Sequence, residues 1–340
     1  MPDRSALISG FLETANWDAA QRRTIAGDAS NRRYERLTRH DGTTAILMDA
    51  PPDKGESTRP FVKITEFLRS AGLSAPHIYA QDASDGFLLL EDLGDDLFAR
   101  ILAKDPTMEQ RLYEAATDVL LHLHTYDPPD LIRCDADMMT DMVSLAFTCY
   151  QNGALGYTDA AALAAFQAAF REVLKPLNTR INVMIQRDYH AENLLWLPDR
   201  SGVARVGLLD YQDALIGHRA YDLVSVLQDA RRDVSPVIAQ DMIHRYAAAA
   251  QIVLSEFETD YALLGLQRNL RILGIFARLS LSYGKPHYAD YIPRVWGHIQ
   301  INLRHPALRE IAPLINATLP EPTPDILKGL KAKCVTIPLP

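Results

Sequence analysis

The pattern of the chain changes near residue 94, and this change constrains its fold more than any other feature of the sequence. Before it, short apolar runs alternate with turn signals such as Asp41-Gly42 and Asp85-Gly86, a pattern typical of β-hairpins. After it, long Ala- and Leu-rich stretches dominate, a composition typical of α-helices. The order predicts an α+β protein with a small β-rich part followed by a larger, mainly helical part.

The apolar pattern predicts the separate elements. Five antiparallel strands are expected within the first ninety residues, and they carry a helix over residues 61–70 that Gly72 closes. Another helix is expected near residues 5–18, and later ones near 108–126, 136–150 and 159–175. We expect a nucleotide-binding lobe at 1–92, a catalytic and substrate-binding helical lobe at 93–319, and a Pro-rich tail at 320–340.

Composition excludes several classes of protein. A net charge of −8 gives no electrostatic footprint for nucleic acid or an anionic membrane. No apolar run approaches the length of a membrane span, and residues 1–5 lead into a charged segment without the apolar core of a signal peptide. The three cysteines show no CxxC spacing, so we expect reduced thiols in a cytoplasmic protein. No obligatory protein partner is evident.

Three polar residues carry the chemistry that the sequence predicts. Asp188 precedes Asn193 by five residues, and about seventeen residues later an apolar run delivers Asp210. This is the spacing of phosphotransferases in which the first Asp meets the substrate hydroxyl while the Asn and the second Asp hold Mg²⁺. Amide and carboxylate oxygens suit Mg²⁺, which in turn binds ATP phosphates. Each of the three residues also has a purely structural alternative role, as a helix N-cap or as a turn residue.

Four segments resemble the aminoglycoside phosphotransferase family, the small-molecule branch of the bilobal protein-kinase-like fold. They span most of the chain and are residues 27–31, 88–94, 187–193 and 209–223. Within that family, residues 48–52 and 268–279 are most similar to the anomeric kinases of N-acetylmuramate and N-acetylglucosamine, which act in cell-wall recycling. The resemblance implies an ATP-dependent phosphotransferase with an alcohol group as acceptor.

The resemblance also implies roles for single residues. Asp188 would orient the sugar hydroxyl and accept its proton, and Asn193 and Asp210 would hold Mg²⁺. The turn with Ser30 and Asn31 would lie over the ATP phosphates. The backbone at Glu91 and Leu93 would pair with the adenine edge, since a strand end leaves polar groups free there. Asp222 would brace the catalytic loop.

One departure from the kinase pattern stands out. Met48 occupies the position of the strand lysine that binds phosphate, and a thioether has no charge with which to replace it. Either another cation acts in its place or the protein binds ATP poorly. The candidate cations are Arg32, Arg33, Lys54 and Arg59.

Two further arginines suggest an anion site. Arg271 and Arg278 are seven residues apart, so both lie on one face of a predicted helix within an otherwise apolar stretch. They are candidates for binding the lactyl carboxylate of muramate by bidentate contacts. A solvated or salt-bridged helix face is an equal alternative.

Other functions remain open at the level of sequence. The same chemistry would serve an aminoglycoside, choline, homoserine or another small alcohol. A nucleotide-binding pseudokinase is a third reading, motivated by Met48. The joint presence of Asp188, Asn193 and Asp210 argues against it, because a protein without catalysis has no physical need for all three.

Overall fold

The computed structural model describes residues 3–25 and 31–335. Strands and helices within these ranges occur in the predicted order. The strands are β1 (Gln21–Ile25), β2 (Arg33–Thr38), β3 (Thr44–Asp49), β4 (Ile78–Asp82), β5 (Phe87–Glu91), β6 (Ile181–Ile185), β7 (Leu194–Trp196), β8 (Val206–Leu208) and β9 (Leu215–His218).

The α-helices follow the same chain order. They are α1 (Arg4–Thr14), α2 (Arg59–Ser70), α3 (Phe98–Lys104), α4 (Glu109–Leu123), α5 (Ala136–Met142), α6 (Asn152–Leu155), α7 (Ala160–Leu174), α8 (Ala220–Leu227), α9 (Pro236–Ala249), α10 (Leu254–Ser282), α11 (Ile292–Leu303), α12 (Ala312–Thr318) and α13 (Pro324–Ala332). A π-helical segment, Ala146–Gln151, precedes α6, and short 3₁₀ turns connect other elements.

The described residues form two compact units. The first unit comprises the described residues up to Met108 together with Ala191–Ala214, and the second comprises Glu109–His190 together with the described residues from Leu215 onward. The chain therefore passes from the second unit back to the first directly after His190. The division into lobes at residues 92 and 93 stays a prediction about folding domains.

The first unit is built on a five-stranded antiparallel sheet in the order β1-β2-β3-β5-β4. Strand residues alternate between its two faces. One face carries Leu37, Ala45 and Leu47, which are buried against α1 residues such as Phe11. Together with the helical remainder, this sheet confirms the predicted α+β fold with a five-stranded antiparallel sheet.

The second unit is organised around α10, a helix of 29 residues that is buried along most of its length. Its glycines permit close packing. A Cβ atom at Gly274 would lie 2.2 Å from the carbonyl carbon of Leu145, so only glycine lets the two backbones approach this far. Leu145 marks the start of the π-helical segment, and the single helix predicted over residues 136–150 is here divided into α5 and that segment.

Candidate active site

Two of the predicted metal ligands lie side by side in the first unit. Asn193 precedes β7 and Asp210 follows β8, and these two strands pair antiparallel, with Leu194 opposite Leu208. The amide N–H of Leu209 donates to the carbonyl oxygen of Asn193 at 3.0 Å, which extends the ladder to the ligand positions. The distance from Asn193 Nδ2 to Asp210 Oδ2 is 3.4 Å. Strand pairing thus brings together two side chains that are seventeen residues apart.

The backbone and a neighbouring amide fix the orientation of Asp210. Its φ of 57° lies in the left-handed region, which Asp tolerates better than most residues. Gln212 Nε2 donates to Asp210 Oδ1 at 2.8 Å. Oδ2 then points toward Asn193. The resulting pair of side chains offers amide and carboxylate oxygens, the hard ligands that Mg²⁺ accepts when phosphate and water complete its shell.

The catalytic loop of the second unit is fixed by Asp222 of α8. Its side chain is fully buried and accepts from the backbone N–H groups of Gln186 at 2.6 Å and Arg187 at 2.9 Å. Ser225 Oγ donates to the carbonyl oxygen of Arg187 at 3.1 Å. Burial raises the pKa of Asp222 to about 7, although both backbone donors lower it. The bracing role predicted for Asp222 thus has a direct structural basis.

Asp188 lies among cationic groups of the second unit. Burial alone would raise its pKa, but the charges of Arg271, Arg268 and Arg187, joined at acid pH by the His190 imidazolium, hold the pKa below its ordinary value. The carboxyl group is therefore ionised at neutral pH.

His190 stays neutral beside this carboxylate. Burial is the main cause that lowers the pKa of His190 to about 4. Its Nε2 lies 3.1 Å from Arg231 Nη1. The imidazole consequently contributes packing and a hydrogen-bonding ring nitrogen to the loop at neutral pH, and no charge.

The predicted nucleotide-binding residues have different surroundings. Ser30 lies outside the described residues. Asn31 is exposed, and its backbone N–H donates to Glu56 Oε1 at 3.1 Å. The N–H of Glu91 donates to the carbonyl oxygen of His77 at 2.8 Å, and its carboxylate pairs with Arg200 at 2.5 Å.

The segment that carries Leu93 is held by Arg36 of β2. The Arg36 Nε lies 2.7 Å from Asp92 Oδ2, and Nη1 lies 2.6 Å from Asp95 Oδ2. The Leu93 side chain packs against Gly207 of β8, so closely that a Cβ atom added at Gly207 would lie 3.2 Å from Leu93 Cδ1. The connection after β5 is thus tied to β2 by charge and to β8 by apolar contact. Adenine pairing at Glu91 and Leu93 stays a prediction.

Sequence reasoning missed the partner of Arg32. Arg32 Nε lies 3.0 Å from Glu56 Oε2, and both side chains are largely buried. Tyr34 lies beside this pair: burial raises its pKa to about 12, Arg32 lowers it, and the charges of Asp210 and Glu56 raise it further. The other candidate cations, Arg33, Lys54 and Arg59, are exposed.

Met48, the residue at the lysine position, is fully buried in the sheet of the first unit. It stands opposite Tyr34 of β2 and Leu88 of β5. Glu66, at the position of the helix carboxylate that pairs with the kinase lysine, is exposed on α2. The usual lysine–glutamate pair is therefore not formed, because Met48 replaces the lysine and Glu66 is exposed.

These features are typical of kinase-like phosphotransferases. They are the antiparallel sheet, the helical remainder with its braced Asp188 loop, and the pairing of Asn193 with Asp210. Residues 21–257 match the model of the family described as "Phosphotransferase enzyme family". The chain belongs to this family, and it is a phosphotransferase that acts on an alcohol group.

Individual relatives support the same assignment. The chain is 37% identical to an N-acetylmuramate/N-acetylglucosamine kinase of Caulobacter vibrioides, over 94% of this chain and 98% of that protein. It is 33% identical to a protein of the same name from Pseudomonas aeruginosa, over 87% of this chain and 88% of that protein. The structure of choline kinase LicA from Streptococcus pneumoniae superposes with a TM-score of 0.61 at 13% identity, covering 87% of this chain and 99% of that one. This last likeness confirms the kinase-like fold.

No helix within residues 3–25 and 31–335 is both long and apolar enough to cross a bilayer.

Proposed function

We propose that the protein transfers the γ-phosphoryl group of ATP to the anomeric hydroxyl of N-acetylmuramate and N-acetylglucosamine. The placement of Asn193 beside Asp210 carries the phosphotransferase part of this proposal. The acceptor is supported by similarity to the Caulobacter kinase along nearly the whole of both chains. Such an enzyme would serve cell-wall recycling in the cytoplasm, where ATP is supplied and where unpaired thiols such as Cys134 persist.

Asp188 acts on the acceptor in this mechanism. Its carboxylate accepts a hydrogen bond from the anomeric hydroxyl, orients the oxygen for attack on the γ-phosphorus and takes up the proton as the new P–O bond forms and the bond from the γ-phosphorus to the leaving ADP breaks. An anomeric hydroxyl is more acidic than an ordinary alcohol, so a carboxylate of depressed pKa suffices as the base. Asp222 keeps the loop in place through the N–H groups of Gln186 and Arg187.

Asn193 and Asp210 would hold Mg²⁺ through their side-chain oxygens, and Gln212 Nε2 orients the Asp210 carboxylate by donating to Oδ1. Bound Mg²⁺ and ATP supply the phosphoryl group and the neutralising charge. No group of three or more His, Cys, Asp or Glu residues in the described ranges has the arrangement of a metal site. The proposal therefore rests on this pair for the metal, and on the turn with Ser30 and Asn31 and the backbone of Glu91 and Leu93 for the nucleotide.

Arg32 takes the place of the missing strand lysine. Its pairing with Glu56 repeats the ion pair of a phosphate-binding lysine with a helix carboxylate, but moves it to the start of β2 and the loop before α2. The charges of both Arg32 and Asp210 act on the neighbouring Tyr34, which supports a role for Arg32 near the proposed metal ligands. Phosphate recognition by Arg is bidentate and loses nothing relative to Lys.

Two substitutions test this assignment. We expect Arg32→Gln to raise the KM for ATP by about tenfold or more, since hydrogen bonds between charged groups are worth roughly 1.5–3 kcal/mol. Met48→Lys should bring no gain in ATP affinity, and it should lower the melting temperature because it buries an ammonium group without a partner. Steady-state kinetics with varied ATP and thermal melts measure both. A marked gain in ATP affinity in the Met48 variant, or unchanged kinetics in the Arg32 variant, would exclude Arg32 as the replacement.

The acceptor is tested directly by ATP consumption. N-acetylmuramate, N-acetylglucosamine, kanamycin, choline and homoserine are supplied in turn with Mg²⁺ and ATP. We expect turnover of the two N-acetylated sugars and a product that is labile to mild acid, as anomeric phosphates are. Turnover of kanamycin, choline or homoserine in preference would contradict the proposal. ATP binding without any turnover would favour the pseudokinase.

A further inference from the structure

Two arginines of α10 lie on one side of the helix, three residues apart. Arg268 and Arg271 are therefore neighbours on successive turns. Arg268 is only 2% exposed, and within the described part of the chain its Nε and Nη1 atoms have no hydrogen-bond partner. Arg271 is partly exposed. Buried N–H donors of a guanidinium rarely stay unpaired, because the desolvation of a charged group is costly.

Both guanidinium groups belong to the charge environment of Asp188. The charges of Arg268 and Arg271 act on the Asp188 carboxylate, and Tyr221 lies close to both arginines. The carboxylates whose charges act on Arg268 are Asp188 and Asp229, while the neighbouring imidazole of His190 is neutral at pH 7. The Nε and Nη1 groups of Arg268 are N–H donors that an anionic ligand beside Asp188 would satisfy.

The structure pairs these arginines differently from the sequence pattern. Arg278, the partner that the spacing of seven suggested, lies with its guanidinium carbon 5.9 Å from the centroid of the Tyr283 ring, and its charge acts on the thiol of Cys149. The arginines whose charges act most strongly on Asp188 are Arg271, Arg268 and Arg187. The pair that is placed to act on an acceptor is Arg268 with Arg271.

We propose that Arg268 and Arg271 form an anion subsite that binds the lactyl carboxylate of N-acetylmuramate. This deepens the proposed function and rests on it, since Asp188 is the group that meets the acceptor. N-acetylglucosamine lacks the lactyl ether, so the subsite determines specificity and is dispensable for the second sugar. The lactyl ether is attached two ring carbons from the anomeric carbon. Because the anomeric hydroxyl meets Asp188, the lactyl carboxylate comes within reach of arginines whose charges act on Asp188. Paired arginines are suited to this role because a guanidinium binds a carboxylate through two parallel hydrogen bonds.

Three acceptors and four proteins test the subsite. The acceptors are N-acetylmuramate, its lactyl amide, in which the carboxylate is replaced by a neutral group, and N-acetylglucosamine. The proteins are the wild type, Arg271→Gln, Arg268→Gln and, as a surface control, Arg304→Gln, whose side chain is exposed after α11. We expect Arg271→Gln to raise the KM for N-acetylmuramate by about tenfold or more. The kinetics with the amide and with N-acetylglucosamine should stay near those of the wild type. Arg304→Gln should match the wild type on all three.

Several results would overturn the inference. Equal losses on all three acceptors, with the acid limb of the pH–rate profile moved to higher pH, would show that the arginines act through Asp188 alone. Equal losses of activity on all three acceptors, together with a raised KM for ATP, would show that the two arginines contact the transferred phosphoryl group and not the lactyl carboxylate. A selective loss of activity on N-acetylmuramate in Arg278→Gln, with no such loss in Arg271→Gln, would contradict the proposal. It would assign the carboxylate to Arg278, the residue that the sequence spacing suggested.

Binding measurements separate this inference from the proposed function. If the wild type phosphorylates neither sugar, the proposed function fails, and calorimetry with N-acetylmuramate and its amide still decides the subsite. Binding that requires the carboxylate and is lost in Arg271→Gln supports it, and binding that does not require the carboxylate, or no binding at all, refutes it. Arg271 is partly exposed, so its variant remains informative even if Arg268→Gln fails to fold.

Discussion

Replacing Asp188 by asparagine is expected to lower kcat/KM for the acceptor sugar by about 10²–10⁴-fold, the usual contribution of a positioned general base. Asparagine has the same shape but cannot accept the proton of the anomeric hydroxyl. The melting temperature should change little, because the loop is anchored through Asp222 and the backbone of Gln186 and Arg187. Initial rates with varied sugar at saturating ATP give the comparison.

Asp241→Asn, an exposed position on α9 of the same unit, is the matched control and should be fully active. If Asp188→Asn retained wild-type kcat/KM, another group would be the base. If it lost activity together with its thermal transition, the residue would be structural and the mechanism proposed above would lack support.

Asp210→Asn is the second large effect, and we expect a loss of about 10³-fold in kcat/KM, because metal neutralisation of phosphoryl oxygens is worth several kcal/mol. Asparagine tolerates the left-handed backbone at this position, so the loss would reflect the missing charge and not strain. The half-saturating concentration of Mg²⁺ should rise in the variant, and titration of activity with Mg²⁺ measures this.

An alanine at position 210 would combine both effects, since a φ of 57° costs a residue without a polar side chain about 1–2 kcal/mol. The difference in melting temperature between the Ala and Asn variants therefore reports backbone strain, and their shared loss of activity reports the metal. Unchanged Mg²⁺ dependence in Asp210→Asn would remove this residue from the metal site.

The parts of the fold that local sequence patterns specify were predictable. The order of the strands followed from turns such as Asp41-Gly42, and the sheet of the first unit has the expected five antiparallel strands. The sequence predicted from spacing that Asn193 and Asp210 share one Mg²⁺, and the structure brings them together because the start of β7 pairs with the end of β8. These features depend on alternation and turn chemistry, which act over a few residues.

The charge pairs of the site were less accessible. Glu56 lies in a loop without periodicity, so nothing in its neighbourhood predicts that it meets Arg32. Arg268 lies in a helix whose apolar pattern predicts a core position. The sequence spacing of seven residues paired Arg271 with Arg278, whereas the structure pairs it with Arg268, one turn away. Long-range pairings of this kind depend on how helices pack, which a single sequence does not encode locally. The helix predicted over residues 136–150 is divided for the same reason, because Gly274 of α10 meets the backbone at Leu145.

The contact of Asp222 with the catalytic loop also bears on the cooperativity of unfolding. The amide groups of Gln186 and Arg187 belong to a loop, yet their acceptor is a fully buried carboxylate on α8. These amides become free to exchange with solvent only when Asp222 withdraws, so the loop and the helix open as one cooperative segment. The loop that carries Asp188 therefore opens only when α8 opens. A substitution that destabilises α8 would lower the population of the catalytically competent loop without changing a catalytic residue.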